Sequence, residues 1–121
     1  MSRPSKRELR GKIDQAKEAV SCGKVQVLSP KVIAAEALDL GYELHELSVV
    51  LSALLDLVTP EDYRGSHPPA RSYERQIQNS ELFAFSVNFI RFGCDIYFKF
   101  TLANGHLWLV SLHEDRPQRG S

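Results

Sequence analysis

An α+β fold, with N-terminal helices packed on a small antiparallel sheet, is what this 121-residue chain predicts. Three observations carry that expectation. Apolar residues in the first half recur every three or four positions, and those of the last third alternate. A stretch holding Gly65, Pro68, Pro69 and four Arg or His residues separates the two patterns. The length suits one domain, and 43% hydrophobic residues are enough for a core without disulfides or a structural metal.

The first helix is expected over 3–22. Leu9, Ile13, Ala16 and Val20 form its apolar stripe, and Gly23 stands where a C-terminal cap belongs. Val25 and Val27 alternate with Lys24 and Gln26, so 24–28 reads as an edge strand. Ser29-Pro30 starts a second helix over 30–40, with Val32, Ile33, Ala37 and Leu40 inward and Gly41 ending it. A third spans 44–58, where Leu44, Leu47, Leu51, Leu54 and Val58 make a stripe that Val50, Leu55 and Leu57 widen. So broad an apolar surface implies packing on two sides. Thr59-Pro60 begins a short further turn.

Residues 64–80 form a basic loop. Arg64, His67, Arg71 and Arg75 gather there with Tyr73, Pro68 and Pro69, and aliphatic residues are almost lacking. A loop of this length in a small domain is functional or disordered. A three-stranded meander over 82–113 follows, and 116–121 reads as a tail. Its last hairpin turns at Asn104-Gly105. A two-residue turn would pair Lys99 with Val110 and Tyr97 with Leu112, mixing polar with apolar. A three-residue loop, Ala103-Asn104-Gly105, pairs Leu102 with His106 and separates the faces. Ile96, Phe98, Phe100 and Leu102 then share the core face with Trp108, Val110 and Leu112. Tyr97, Lys99 and Thr101 share the other with Leu107, Leu109, Ser111 and His113.

That second face points to anion chemistry, and more sharply to cleavage of RNA without a metal. Such a reaction needs a base for the ribose 2′-OH, a cation for the phosphate and an acid for the leaving 5′-oxygen. An imidazole titrates near neutrality, which suits His113 to the acid or base role. Lys99 and loop Arg64 supply positive charge, and Tyr97 a hydrogen bond or a stacking surface. Arg71, Arg75, His67 and Tyr73 are candidate RNA contacts. The plainer roles are a solvated strand-end histidine, a lysine that discourages edge pairing and solubilising arginines. His45 and His106 read as surface residues, Trp108 as core, and Cys22 and Cys94 as small half-buried side chains.

Fifteen Lys and Arg balance fifteen Asp and Glu, which excludes a broad electrostatic clamp on nucleic acid but not a local basic site. No P-loop, GxGxxG, HExxH, GxSxG or EF-hand pattern occurs, and no Cys/His set has zinc spacing, so neither cofactor nor metal is expected. Apolar runs stop well short of the roughly 18 residues of a membrane helix. Met1-Ser2-Arg3-Pro4-Ser5-Lys6 lacks an apolar signal region, so the expected location is cytoplasmic.

Three blocks in order resemble the MqsR-type toxins of bacterial type II toxin–antitoxin pairs. They are Gly23-Lys24-Val25-Gln26-Val27 with Ala37-Leu38-Asp39-Leu40-Gly41-Tyr42, then Asp62-Tyr63-Arg64-Gly65-Ser66, then Tyr97-Phe98-Lys99-Phe100 with Val110-Ser111-Leu112-His113-Glu114. The resemblance implies a RelE-like fold and a small, sequence-selective mRNA endoribonuclease that needs no metal. It also implies a cognate antitoxin that neutralises it. Tyr97 matches the family's hairpin tyrosine, and His113 falls where members often carry a catalytic lysine. Arg64 lies near a loop lysine, and Gln76 near a glutamine of the Trp-Gln-Asp-Val-Tyr element, whose region Leu82–Val87 occupies here. Two other classes stand beside this reading. One is a non-catalytic interaction module whose basic loop and sheet face dock an acidic partner. The other is a cleaver that acts only on the ribosome.

Overall fold

A computed structural model describes residues 3–116. Helix α1 (Lys6–Ser21) leads to strand β1 (Val25–Val27), helix α2 (Pro30–Leu40) and helix α3 (Leu47–Leu57). Strands β2 (Phe83–Phe89), β3 (Cys94–Ala103) and β4 (His106–Glu114) complete the chain. The architecture is α+β, with N-terminal helices on a sheet ordered β1-β4-β3-β2. One expectation is corrected: the sheet is mixed, because β1 runs parallel to β4. β1 reaches that edge from α1 and leaves it into α2, so no hairpin forces an antiparallel partner. The tail residues 117–121 lie outside the described residues.

Local chemistry accounts for the helix limits. The Ser5 hydroxyl accepts the Glu8 N–H at 3.0 Å and caps α1. Gly23, at φ +70°, closes it while Lys24 N donates to Ala19 O and Gly23 N to Val20 O. Pro30 opens α2, but the Ser29 side chain makes no capping bond. The third helix begins as a 3-10 turn at Leu44–Glu46, and only from Leu47 is it α-helical. α1 and α3 pack on each other and on the sheet, while α2 lies along β4. Leu9, Ile13, Leu51 and Leu54 meet Phe83, Phe85, Phe98 and Phe100 in one core. α3 is buried less completely than its sequence predicts, since Val49 is 64% exposed and Leu57 47%.

The last hairpin departs from the expected register in an informative way. Asn104 and Gly105 both have positive φ, and Ala103 pairs with His106, so the turn has two residues. Leu102 pairs with Leu107 and Phe100 with Leu109, which puts Leu107 and Leu109 in the core. Trp108 and Val110 are half-buried instead, and Trp108 pairs with Thr101 on the opposite face. The ladder then shifts between Phe100 and Lys99, with Val110 the extra residue. Beyond it Lys99 pairs with Ser111, Phe98 with Leu112 and Tyr97 with His113. A bulge thus does what the expected three-residue loop was to do, and only past Val110.

β1 ends at Leu109, where Leu28 N donates to the Leu109 carbonyl at 3.0 Å. From there α2 covers the edge, and the Glu36 carboxylate accepts the N–H of fully buried Leu112 at 2.8 Å. Glu36→Ala strands that amide and is expected to cost about 1–3 kcal/mol, with Glu36→Gln recovering most of it. Urea unfolding of both variants checks this.

The N-terminus is tied to the same sheet. Arg3 grips Glu81 through two nitrogens, at 2.8 and 3.2 Å, and also pairs with Glu8. The Glu81 carbonyl accepts the hydroxyl of buried Thr101 at 2.6 Å. Hydrogen bonds from Arg3 hold the Glu81 carboxyl below its ordinary range. A depressed carboxylate adds stability above the unfolded-state pKa, about 4.3, and loses it as pH falls through the folded value. Glu81→Gln is therefore expected to be less stable than the parent at pH 7, with the gap closing in acid. Denaturant midpoints across the acid range test the sign.

Candidate functional site

β2, β3 and β4 present a second face away from α1 and α3, and its side chains stand in cross-strand rows. One row is Ser86, Tyr97 and His113, and the next is Ala84, Lys99 and Ser111. The structure therefore brings together Tyr97, Lys99 and His113 as the sequence predicts. All three are half-buried. The Tyr97 and His113 rings stack, with centroids 5.1 Å apart and planes 22° apart. His113 Nδ1 lies 2.8 Å from the Glu114 carbonyl oxygen. A carbonyl only accepts, so that bond places the proton on Nδ1 and leaves Nε2 for a ligand.

Burial above all, then the charge of Asp115, raises the Tyr97 phenol above its ordinary pKa. Tyr97 is thus a neutral hydrogen-bond donor at neutral pH. Lys99 makes no ion pair among the described residues, so its charge is not spent on a carboxylate.

Two open clefts meet along Tyr97 and Lys99. The larger, about 710 Å³, runs toward α2 and the end of β4, between Glu36, Asp39, Ser111, His113 and Asp115. The smaller, about 240 Å³, runs toward the basic loop and is lined by Arg64, Gly65, Ser66 and Leu82. Arg64 is exposed, and its backbone N–H bonds the Ala84 carbonyl at 2.8 Å, which anchors it beside β2. The carboxylates of the larger cleft, Asp115 among them, are site groups that the sequence reading missed. Asp115 has the two-residue spacing from His113 that puts both on one face of an extended chain, which was the available signal.

The other loop candidates lie elsewhere. Arg71 donates to the Asn79 carbonyl at 2.7 Å and faces Glu81. His67 packs edge-on against Tyr63 at 5.2 Å. Arg75 is exposed, and Tyr73 is 95% exposed. None of these four lines either cleft. The loop itself is folded on its own contacts. Buried Ser72 exchanges backbone bonds with Asn79 and Ser80, and Ile77 is buried beneath it. Cys94 is half-buried as expected, but Cys22, the C-cap of α1, is exposed.

Among the described residues, no three His, Cys, Asp or Glu side chains converge to hold a metal ion, and no helix is long and apolar enough to cross a membrane. No protein-family model matches the chain, and no curated protein matches it.

Tyr63 shapes the smaller cleft. Its ring packs on Phe85 and its hydroxyl donates to the Ser66 carbonyl at 2.6 Å. The chain between them crosses the ring so closely that a Cβ on Gly65 would stand 2.6 Å from Tyr63 Cζ. Gly65→Ala must displace a buried, hydrogen-bonded ring. The expected loss is about 1–3 kcal/mol, read from thermal or denaturant unfolding.

Proposed function

We propose that this protein is a metal-independent mRNA endoribonuclease, the toxin of a toxin–antitoxin pair. The observation that carries the reading is the Tyr97–His113 stack beside Lys99, unpaired among the described residues, on an open sheet face. The resemblance to MqsR-type toxins over the hairpin supports it from the sequence side.

The chemistry follows from the groups present. The ribose 2′-oxygen attacks the adjacent phosphorus and gives its proton to a base. The P–O5′ bond breaks, and the leaving oxygen takes a proton. The products are a 2′,3′-cyclic phosphate and a 5′-hydroxyl. His113 Nε2 serves as the base or, protonated, as the acid. Lys99 and Arg64 stabilise charge on the phosphate, and Tyr97 donates a hydrogen bond that orients it. A cognate antitoxin is the partner that the resemblance implies.

A second reading has its own support. Arg64 and Arg75 are exposed and form no ion pair among the described residues, which suits an acidic protein partner as well as RNA. An interaction module of that kind binds its partner equally well after His113→Ala.

The deciding experiment incubates the protein and its His113→Ala and Tyr97→Phe variants with a long mRNA in EDTA, without ribosomes. Discrete cuts ending in cyclic phosphate are expected from the parent. His113→Ala is expected to lose about 10²-fold or more in rate while its circular dichroism is unchanged. Parent-rate cutting by His113→Ala removes the assignment. RNA left intact by every sample removes the free ribonuclease, and the same assay on translating ribosomes then tests a ribosome-dependent one.

A further inference from the structure

Asp115 shares the open face with His113 yet has no part in the chemistry above. It is held at two points. Its N–H donates to the Asp95 carbonyl at 2.8 Å, and its Oδ2 accepts the Ser86 hydroxyl at 2.6 Å. Ser86 is only 5% exposed, so a buried hydroxyl is committed to this one charged acceptor. Ser86 is also the cross-strand neighbour of Tyr97, whose other neighbour is His113. The Ser86–Asp115 bond therefore joins the first and third strands of the row that carries the stack.

We propose that Asp115 is a positioning residue: bonded to Ser86, it straps the end of β4 across the sheet and holds His113 in register against Tyr97. The need for such a strap is local. His113 lies one residue from the end of β4, β1 has ended at Leu109, and only the Ile96–Glu114 pair follows. A strand end with so few ladder bonds frays unless something beyond it is fixed. The catalytic consequence rests on the ribonuclease reading, but the structural one does not.

The test uses the full chain with Ser86→Ala, Asp115→Asn and the double variant. Asn keeps an oxygen that accepts from Ser86 and removes only the charge, while Ala at 86 removes the bond, so the two separate. NMR of the His113 ring protons, assigned by difference from His113→Gln, reads the stack as an upfield ring-current displacement. Ser86→Ala is expected to lose that displacement. Absorbance titration of the Tyr97 phenol, assigned through Tyr97→Phe, reads the charge. His113 stacks on that ring and Tyr63 stands near it; Lys99 and Arg64 line the cleft on one side of Tyr97, and Glu36, Asp39, Glu114 and Arg116 the cleft on the other. These remain in every variant, so a lower midpoint in Asp115→Asn reports Asp115 alone.

In the cleavage assay kcat is expected to fall roughly tenfold or more in Ser86→Ala with KM held, and the double variant to lose no more. Parent-like ring shifts in Ser86→Ala overturn the proposal. Should Ser86→Ala fail to fold, Ser86→Cys, a weaker donor of similar size, takes its place in the ring-shift reading. If the parent cuts no RNA, the ribonuclease reading fails by itself, and the ring shifts still decide the strap.

Discussion

One extra residue in β4 holds the open face together. Side chains of a strand alternate strictly, so any ladder in a single register must commit all of β4 at once. From the turn to Leu109 the core takes the odd-numbered residues, and past Val110 it takes Leu112. Without the shift at Val110, either the two leucines near the turn or the serine and histidine near the end would be on the wrong side. The bulge settles that conflict at the cost of one unpaired position, and it falls where β1 stops and α2 takes over the edge. The Glu36 carboxylate completes the arrangement by standing in for the missing neighbour strand at Leu112.

The face so formed is electrostatically divided. Lys99 stands where the clefts meet, Arg64 lies on the side toward the loop, and Glu36, Asp39, Glu114 and Asp115, with Arg116 and His113 among them, surround the other. A chain with no net charge can still present such a local field, because the field depends on where the charges stand and not on their sum.

Much of the fold was legible in the residues themselves. The stripes of α1 and α3, the Pro30 start, the Gly23 and Gly41 stops and the alternation of β2 all come from local sequence, where each residue's contribution depends on its immediate neighbours. The grouping of Tyr97, Lys99 and His113 was legible too, since amphipathicity demands it. The side taken by Trp108 and Val110 was not. A tryptophan beside alternating leucines looks like core, and the bulge that turns it outward leaves no residue signature of its own.

Sequence by itself determined the α+β class, the helices, the place of the hairpin tip though not its turn length, and the polar row, because periodicity and turn chemistry are short-range properties. Tertiary structure alone decided the parallel docking of β1, the bulge, the placing of His67, Arg71, Tyr73 and Arg75 outside the clefts, and the reach of Asp115 to Ser86. Each of these joins groups far apart in the chain, such as Glu36 with Leu112 or Arg3 with Glu81. The free energy of such contacts depends on what else is packed nearby, which no local pattern of residues encodes.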